Sequence, residues 1–331
     1  MKKLLSLFLC AAMILALAGC AQEGSPSQES AQGEAAPEGA KEVTVGLIQL
    51  MEHPSLDEIR AAIKARIQER AGEYGLSVEV QYQNAQNDTS TINTICQQFV
   101  ANGVDAIVAI ATPAAQGAAA AAQNTGIPII FSAVTDPAAA GLVENLTAPE
   151  GNVTGTSDAI PVEKIFSLAA ELTPDVKSFG LIYNTSEVNS LSVIEETKAY
   201  LDGQGIPYVD GAVTSSADVQ TSARHLLEQC DALFAPIDNT VAGAMGVVAA
   251  EAIQAGKPVY VAADSMVADG GFATVGVNYT NLGTQTGDMV LKILSGTPVS
   301  EVPVEVLRDN AVTVNPETAA AIGVDVSQYV Q

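Results

Sequence analysis

Hydroxyls, amides and carboxylates recur in this sequence in short clusters, each at the end of an apolar run. Gln49 to Pro54 (QLMEHP, with Glu52) close the first run and Asn84-Ala85-Gln86-Asn87 the second. Thr112-Pro113-Ala114-Ala115-Gln116 close the third and Thr135-Asp136-Pro137 the fourth. The second half supplies Ser157-Asp158, Asn184 with Glu187-Val188-Asn189-Ser190, Asp238-Asn239-Thr240, and Asp264. Asn, Asp, Ser and Thr commonly cap helices and start turns, and at any single position that explanation is enough. It does not explain why both halves carry such ends where two lobes would face each other. A cleft lined by these groups, with helix N-termini donating N–H, suits a zwitterionic or polyhydroxyl ligand.

Reactive chemistry has less support. The sequence has no GxGxxG behind a strand, no P-loop, no GxSxG elbow and no HExxH. Of its 2 histidines, His53 stands in Glu-His-Pro, where Pro54 holds it extended. An exposed residue and a cleft contact fit it equally. His225 falls inside a helical stretch at the surface. No CxxC or Cys/His cluster implies a metal, and no cofactor is implied. Cys96 and Cys230 read as packed core thiols, with a bridge between them left open.

The elements that must position these clusters follow an α/β rhythm from Val43. Strands are expected at 43–50, 77–83, 104–111 and 127–134, with helices between them. Ser55-Leu56-Asp57-Glu58 reads as a capping box, with Leu56, Ile59, Ile63 and Ile67 on one helical face. The rhythm pauses over 135–158 and restarts. Strands follow at 178–184, 207–213, 232–238, 258–264 and 270–278, and 241–255 reads as one helix. Strands at 302–307 and 311–315 and a short helix at 316–322 complete the chain. This is an α/β protein with two doubly wound parallel-sheet lobes. The tail is too short for a third domain, so the chain is expected to cross between lobes three times. The boundaries read as 43–155 plus 273–295 for the N-terminal lobe and 156–272 plus 296–331 for the C-terminal lobe.

The chain has 331 residues, 48% of them hydrophobic and 16% charged, which fits two folded domains rather than disorder. Its formal charge is −24, and −26 without Lys2 and Lys3. That sign repels nucleic acid. Lys2-Lys3, an apolar run from Leu4 to Leu17, and Leu17-Ala18-Gly19-Cys20 match a lipoprotein signal peptide over 1–19, with the lipid on Cys20. Residues 20–42 read as a flexible linker. The expected location is therefore extracytoplasmic, lipid-anchored to the cell membrane.

QLMEHPSLDEI, QNAQND, AIATPAAQ, FSAVTDPAAAGLV, GNVTGTSD, IYNTSEVNS, PIDNTV and AADS occur here in order. Together they resemble the ABC-transporter substrate-binding lipoproteins of the tryptophan/tyrosine (TrpX-like) group, over nearly all of the chain from Val43. The resemblance implies a type I periplasmic-binding fold, a hinged clamp of the Venus-flytrap kind. It also implies an ABC permease and its ATPase as partners, and uptake of an amino acid, aromatic in characterised relatives. A monomer is expected.

Carried over by position, Thr112 and Thr135, with N–H groups near Ala114 and Ala115, would hold the ligand carboxylate. Asp238 would take the ammonium, with Asp158 in reserve. Asn184, Asn189 and Asn239 would orient the ligand, and Glu52 or Gln86 would reach it from the first lobe. Asp136, Ser157 and Asp264 complete the candidate set. The chain has no tryptophan, so stacking on an aromatic ligand would fall to Tyr183, Phe131, Tyr82 or Tyr279. A sugar- or nucleoside-binding lipoprotein is the neighbouring alternative, although sugar sites usually use Trp. A surface enzyme and a non-transport sensor lipoprotein are the more distant ones.

Overall fold

The computed structural model describes residues 39–308 and 311–329, and within them strands and helices alternate as their hydrophobic patterns require. The proposed signal segment, Cys20 and most of the linker lie outside the described residues. The first lobe begins with β1 (Lys41–Gln49), α1 (Pro54–Arg70), β2 (Leu76–Asn84) and α2 (Thr89–Asn102). It continues through β3 (Ala106–Ile110), α3 (Thr112–Ala121), β4 (Ile129–Ser132) and β5 (Val153–Ser157). The second lobe follows with α4 (Val162–Leu172), β6 (Phe179–Asn184), α5 (Val188–Gln204), β7 (Tyr208–Val213) and α6 (Ser216–Gln229). After these come β8 (Ala232–Ala235), α7 (Asn239–Ala242), α8 (Met245–Ala255), β9 (Val259–Val261), α9 (Asp264–Ala268) and β10 (Ala273–Gly276). The chain ends with α10 (Tyr279–Leu294), β11 (Glu305–Val306), β12 (Ala311–Val314) and α11 (Pro316–Ile322).

The described strands form two 6-stranded sheets, ordered β11-β5-β4-β3-β1-β2 and β12-β10-β9-β8-β6-β7. Pairing is parallel except between β12 and β10. The centres of both sheets are dry. All five residues of β3 (AIVAI) and all four of β8 (ALFA) are buried, as strands covered on two faces require. On α1 the expected face of Leu56, Ile59, Ile63 and Ile67 is buried. Cys96 and Cys230 are free thiols, both buried.

Sheet membership moves the lobe boundaries. The chain crosses after β5, after β10 and between β11 and β12. The strand β10, expected in the first lobe with 273–295, belongs to the second sheet. The strand β11, expected in the second lobe with 296–331, closes the edge of the first. Between these crossings α10 packs along α1. Gly283 permits the close approach, since a Cβ there would meet the Ile59 carbonyl oxygen at 2.6 Å. Asp288 then accepts from both Arg66 and Arg70.

Three local readings change. The pause over 135–158 hides β5, whose VTGTS is buried throughout. Its hydroxyls are satisfied inside, Thr154 donating to the Val302 carbonyl and Thr156 sharing a bond with Thr286. The helix expected at 241–255 breaks into α7 and α8 around Gly243. Finally, α1 begins with Pro54 and has His53 at its N-cap without a side-chain cap bond, so Ser55 is not a capping residue. The fixed φ of proline suits that first helical position.

Candidate functional site

The carboxyl ends of the two sheets face one another across a narrow cavity. His53, Ser55, Leu56 and Ala133 line it from the first lobe, and Asn189, Ile237, Asp238, Asn239, Ala242 and Met266 from the second. Asp158 and Tyr279, just beyond two of the crossings, complete the wall.

Each polar member is placed by its local fold. Asp158 follows β5 directly and is fully buried. It accepts from the Thr135 hydroxyl at 2.8 Å and the Tyr279 hydroxyl at 3.2 Å. Burial pushes its carboxyl up to about 6, against the lowering effect of those two donors. Asp238 is the N-cap of α7. It accepts from Val241 N at 2.8 Å, from Asn184 N at 2.5 Å and from the Ser190 hydroxyl at 2.7 Å. Burial first, then the charge of Glu187, raises its carboxyl above the usual range. Glu187 lies behind the wall and accepts from Asn239 N, Asn239 Nδ2, Thr240 N and the Thr240 hydroxyl. It thereby fixes the N-terminus of α7, where a carboxylate also complements the helix dipole.

Asp158, Glu187 and Asp238 are each at most 4% exposed. None of the ion pairs among the described residues involves any of them. Two further acceptors on the wall are also unmatched. Asn189 donates its amide to the Ile237 carbonyl at 2.9 Å and leaves Oδ1 buried without a partner. His53 is bonded through Nε2 to Asn239 Oδ1 at 3.4 Å, and its Nδ1 is buried without a partner. Burial lowers the His53 imidazole below its ordinary value, although the Asn239 bond and the charges of Asp57 and Glu187 act in the opposite direction.

The lobes also touch each other directly. Ser55 and Ser265 share a hydrogen bond of 2.6 Å, and the Ser192 hydroxyl donates to Asp136 at 3.0 Å. Backbone strain sits on the first lobe's side of the cleft, where Ala111 and Ala133, just past β3 and β4, hold φ of 80° and 56°. Both lie in the left-handed region that non-glycine residues rarely adopt.

Of the candidate residues, Asp158, Asn189, Asp238 and Asn239 meet at the cavity. Thr135, Ser157 and Asn184 support it from behind: Thr135 holds Asp158, Ser157 donates to the Thr135 carbonyl, and Asn184 holds Asp238 and Thr240. Asp136 joins the lobes through Ser192. Thr112 is buried at the start of α3 with an unpartnered hydroxyl, outside the cavity wall. Ala114 and Ala115 are buried in the same turn. The Ala115 N–H bonds to the Ala111 carbonyl and is not free for a ligand. Glu52 and Gln86 are exposed, and Gln86 N is held by Asn84 in a turn. Asp264 lines a different groove, with Thr313 and Asn315 of the second lobe.

Among the candidate aromatics only Tyr279 lines the cavity. Phe131 is in the core, Tyr183 donates to Asp210, and Tyr82 stacks under Arg60. Ser55, Ala133 and Met266 escaped sequence reasoning, because nothing in a helical serine, an alanine or a methionine signals a cleft. Glu187 stood in a strand-end cluster, and only the geometry shows what it holds.

Residues 44–331 match the family of ABC transporter substrate binding proteins. The chain belongs to that family. Its members are extracytoplasmic and deliver a ligand to a permease, and no helix among the described residues is long and apolar enough to cross a membrane. This substrate-binding protein is 34% identical over 322 residues, 97% of the chain and 92% of the relative, to a tyrosine-binding protein of Clostridioides difficile. Its type I periplasmic-binding fold superposes on the ABC domain in complex with L-Trp from Streptococcus pneumoniae. That match has a TM-score of 0.81 at 36% identity over 86% of this chain and 96% of that one. A ligand-free, open substrate-binding protein with adhesive properties from Clostridium difficile gives 0.66 at 38% identity, over 86% and 95%. Identity and coverage being alike, the lower score points to lobe arrangement. The lobes of this substrate-binding protein are arranged more like those of the L-Trp complex than those of the open structure, and they bond to each other directly.

Proposed function

We propose that this substrate-binding protein captures an amino acid between its lobes by its ammonium group and hands it to an ABC permease. The observation that carries the reading is the set of buried carboxylates at the cavity without a cation of the protein's own. Removing a carboxylate from water is costly unless it is neutralised or paired, and a ligand ammonium would supply the missing charge. Asp158 is the better first partner. Asp238 already accepts three bonds that hold α7 and its approach, whereas Asp158 accepts two. Leu56, Ile237 and Met266 with the Tyr279 ring offer an apolar wall, which favours a large side chain. The tyrosine-binding relative and the L-Trp complex support an aromatic one.

The protein would act as a monomer, tethered through a lipid on Cys20 after removal of 1–19. Support for the anchor is the basic, apolar and small-residue order ending at Cys20, and stable anchoring needs more than one acyl chain. A thermal-shift screen against the amino acids, followed by calorimetry, tests the reading. Stabilisation by tyrosine or tryptophan is expected, and a screen in which only sugars or nucleosides stabilise the protein would overturn it.

A further inference from the structure

Asn239 fixes the chemistry of His53. Its Nδ2 donates to Glu187 Oε2 at 2.6 Å, and a carboxylate can only accept, so the amide oxygen must face the imidazole. Asn239 Oδ1 therefore accepts from His53 Nε2–H across the cleft at 3.4 Å. In a neutral ring the second nitrogen is then a bare acceptor. That nitrogen, Nδ1, is buried without a partner on a side chain that is 6% exposed and lines the cavity. A buried polar atom in this position loses its water without compensation unless something else bonds to it.

We propose that His53 is a specificity-determining residue whose neutral Nε2–H tautomer accepts a hydrogen bond from the ligand at Nδ1. The assignment rests on the amino-acid reading of the cavity and adds a first-lobe contact to it. Glu187 and Asn239 act as positioning residues, because they set the tautomer from the opposite lobe. An imidazolium would present a donor where the ligand also presents one, so protonation opposes binding.

The sign follows from the two states. In the open, ligand-free protein the ring is wetter and titrates nearer its ordinary value, whereas the closed site keeps it neutral. Affinity from this residue is complete above about pH 6.5 and falls by up to about tenfold per pH unit below it. The charged and titratable groups around the ring are Asp57 on its own helix, Glu187 and Asp238 from the second lobe, and Asp158 with Tyr279 across the cavity. The carboxylates add an acid loss of their own, so a substitution must separate the contributions.

The test is calorimetry of L-tyrosine, L-tryptophan and L-phenylalanine from pH 5 to 8 with wild type, His53→Gln and His53→Phe. His53→Phe is expected to weaken binding at least about tenfold at pH 7.5. His53→Gln retains an acceptor and is expected to bind within about threefold, with a shallower acid decline than wild type. An equal loss for all three ligands in His53→Phe assigns the donor to the ammonium. A loss that spares phenylalanine assigns it to the side-chain O–H or N–H. If His53→Phe does not fold, the pH profile of His53→Gln against wild type decides alone. Wild-type binding with a tight His53→Phe, or with a His53→Gln profile as steep as wild type, overturns this assignment only. A wild type that binds none of the three overturns the amino-acid reading and this assignment together.

Discussion

Asp158 is costly to the ligand-free fold at neutral pH. Its carboxyl titrates near 6 in the fold, well above an ordinary carboxylate, so the folded state holds the proton more tightly than the unfolded one. Its contribution is favourable below the unfolded value and is lost as pH rises through about 6. At pH 7 the buried charge is therefore a burden on the ligand-free protein. Asp158→Asn is expected to raise ligand-free stability at pH 7 by on the order of 1–3 kcal/mol, with the gain shrinking toward pH 4. The same substitution should weaken amino-acid binding at least about tenfold, because the ammonium loses its charge partner. Denaturation and calorimetry on one sample check both signs. Ala111 and Ala133 carry a different cost, their positive φ. Replacing Ala133 by Gly is expected to leave stability unchanged or raise it by up to about 1 kcal/mol, the relief of strain exceeding the added chain entropy. Urea denaturation measures it.

Among the elements, β5 is the one that both positions the site and escaped the sequence. It sits in the first sheet between β4 and β11, and Asp158 is the next residue. Its close fit has a clear origin, since a Cβ on Gly155 would fall 2.1 Å from the Phe131 carbonyl oxygen. Backbone cannot yield as a flexible side chain can. Gly155→Ala is expected to destabilise the protein by about 2 kcal/mol or more and to weaken ligand binding with it, measured by chemical denaturation and calorimetry. The strands rich in Val, Ile and Leu were legible because burial on both faces writes itself as an apolar run. VTGTS was not, because its hydroxyls find partners inside the fold that no local pattern reveals. The same limit explains Ser55. It mimics a helix cap in sequence, yet in the structure it bonds Ser265, 210 positions away. The strand-end clusters were legible as a set, but which of them turn inward depended on sheet order. β10 and β11 exchanged lobes for that reason, since sheet order depends on pairing partners that sequence spacing does not name.

For the whole molecule the relevant quantity is the balance between open and closed lobes. Ser55–Ser265, Ser192–Asp136 and His53–Asn239 join the lobes without any ligand. Such neutral or singly charged bonds contribute about 1 kcal/mol each, whereas moving the population from 1% to 99% closed takes about 5.5 kcal/mol. Those bonds are already part of the ligand-free balance, so the ligand must supply the whole shift through contacts made only in the closed state. Asp136→Ala is expected to weaken affinity by about threefold to tenfold, and small-angle scattering should show contraction on ligand addition at higher ligand concentration than wild type requires. The measurement that bears most directly on the account is a crystal structure with L-tyrosine or L-tryptophan bound at neutral pH. The account places the ammonium within hydrogen-bonding distance of Asp158, in contact with residues of both lobes. A ligand held by one lobe alone, or one whose carboxylate rather than ammonium faces Asp158 and Asp238, would contradict it.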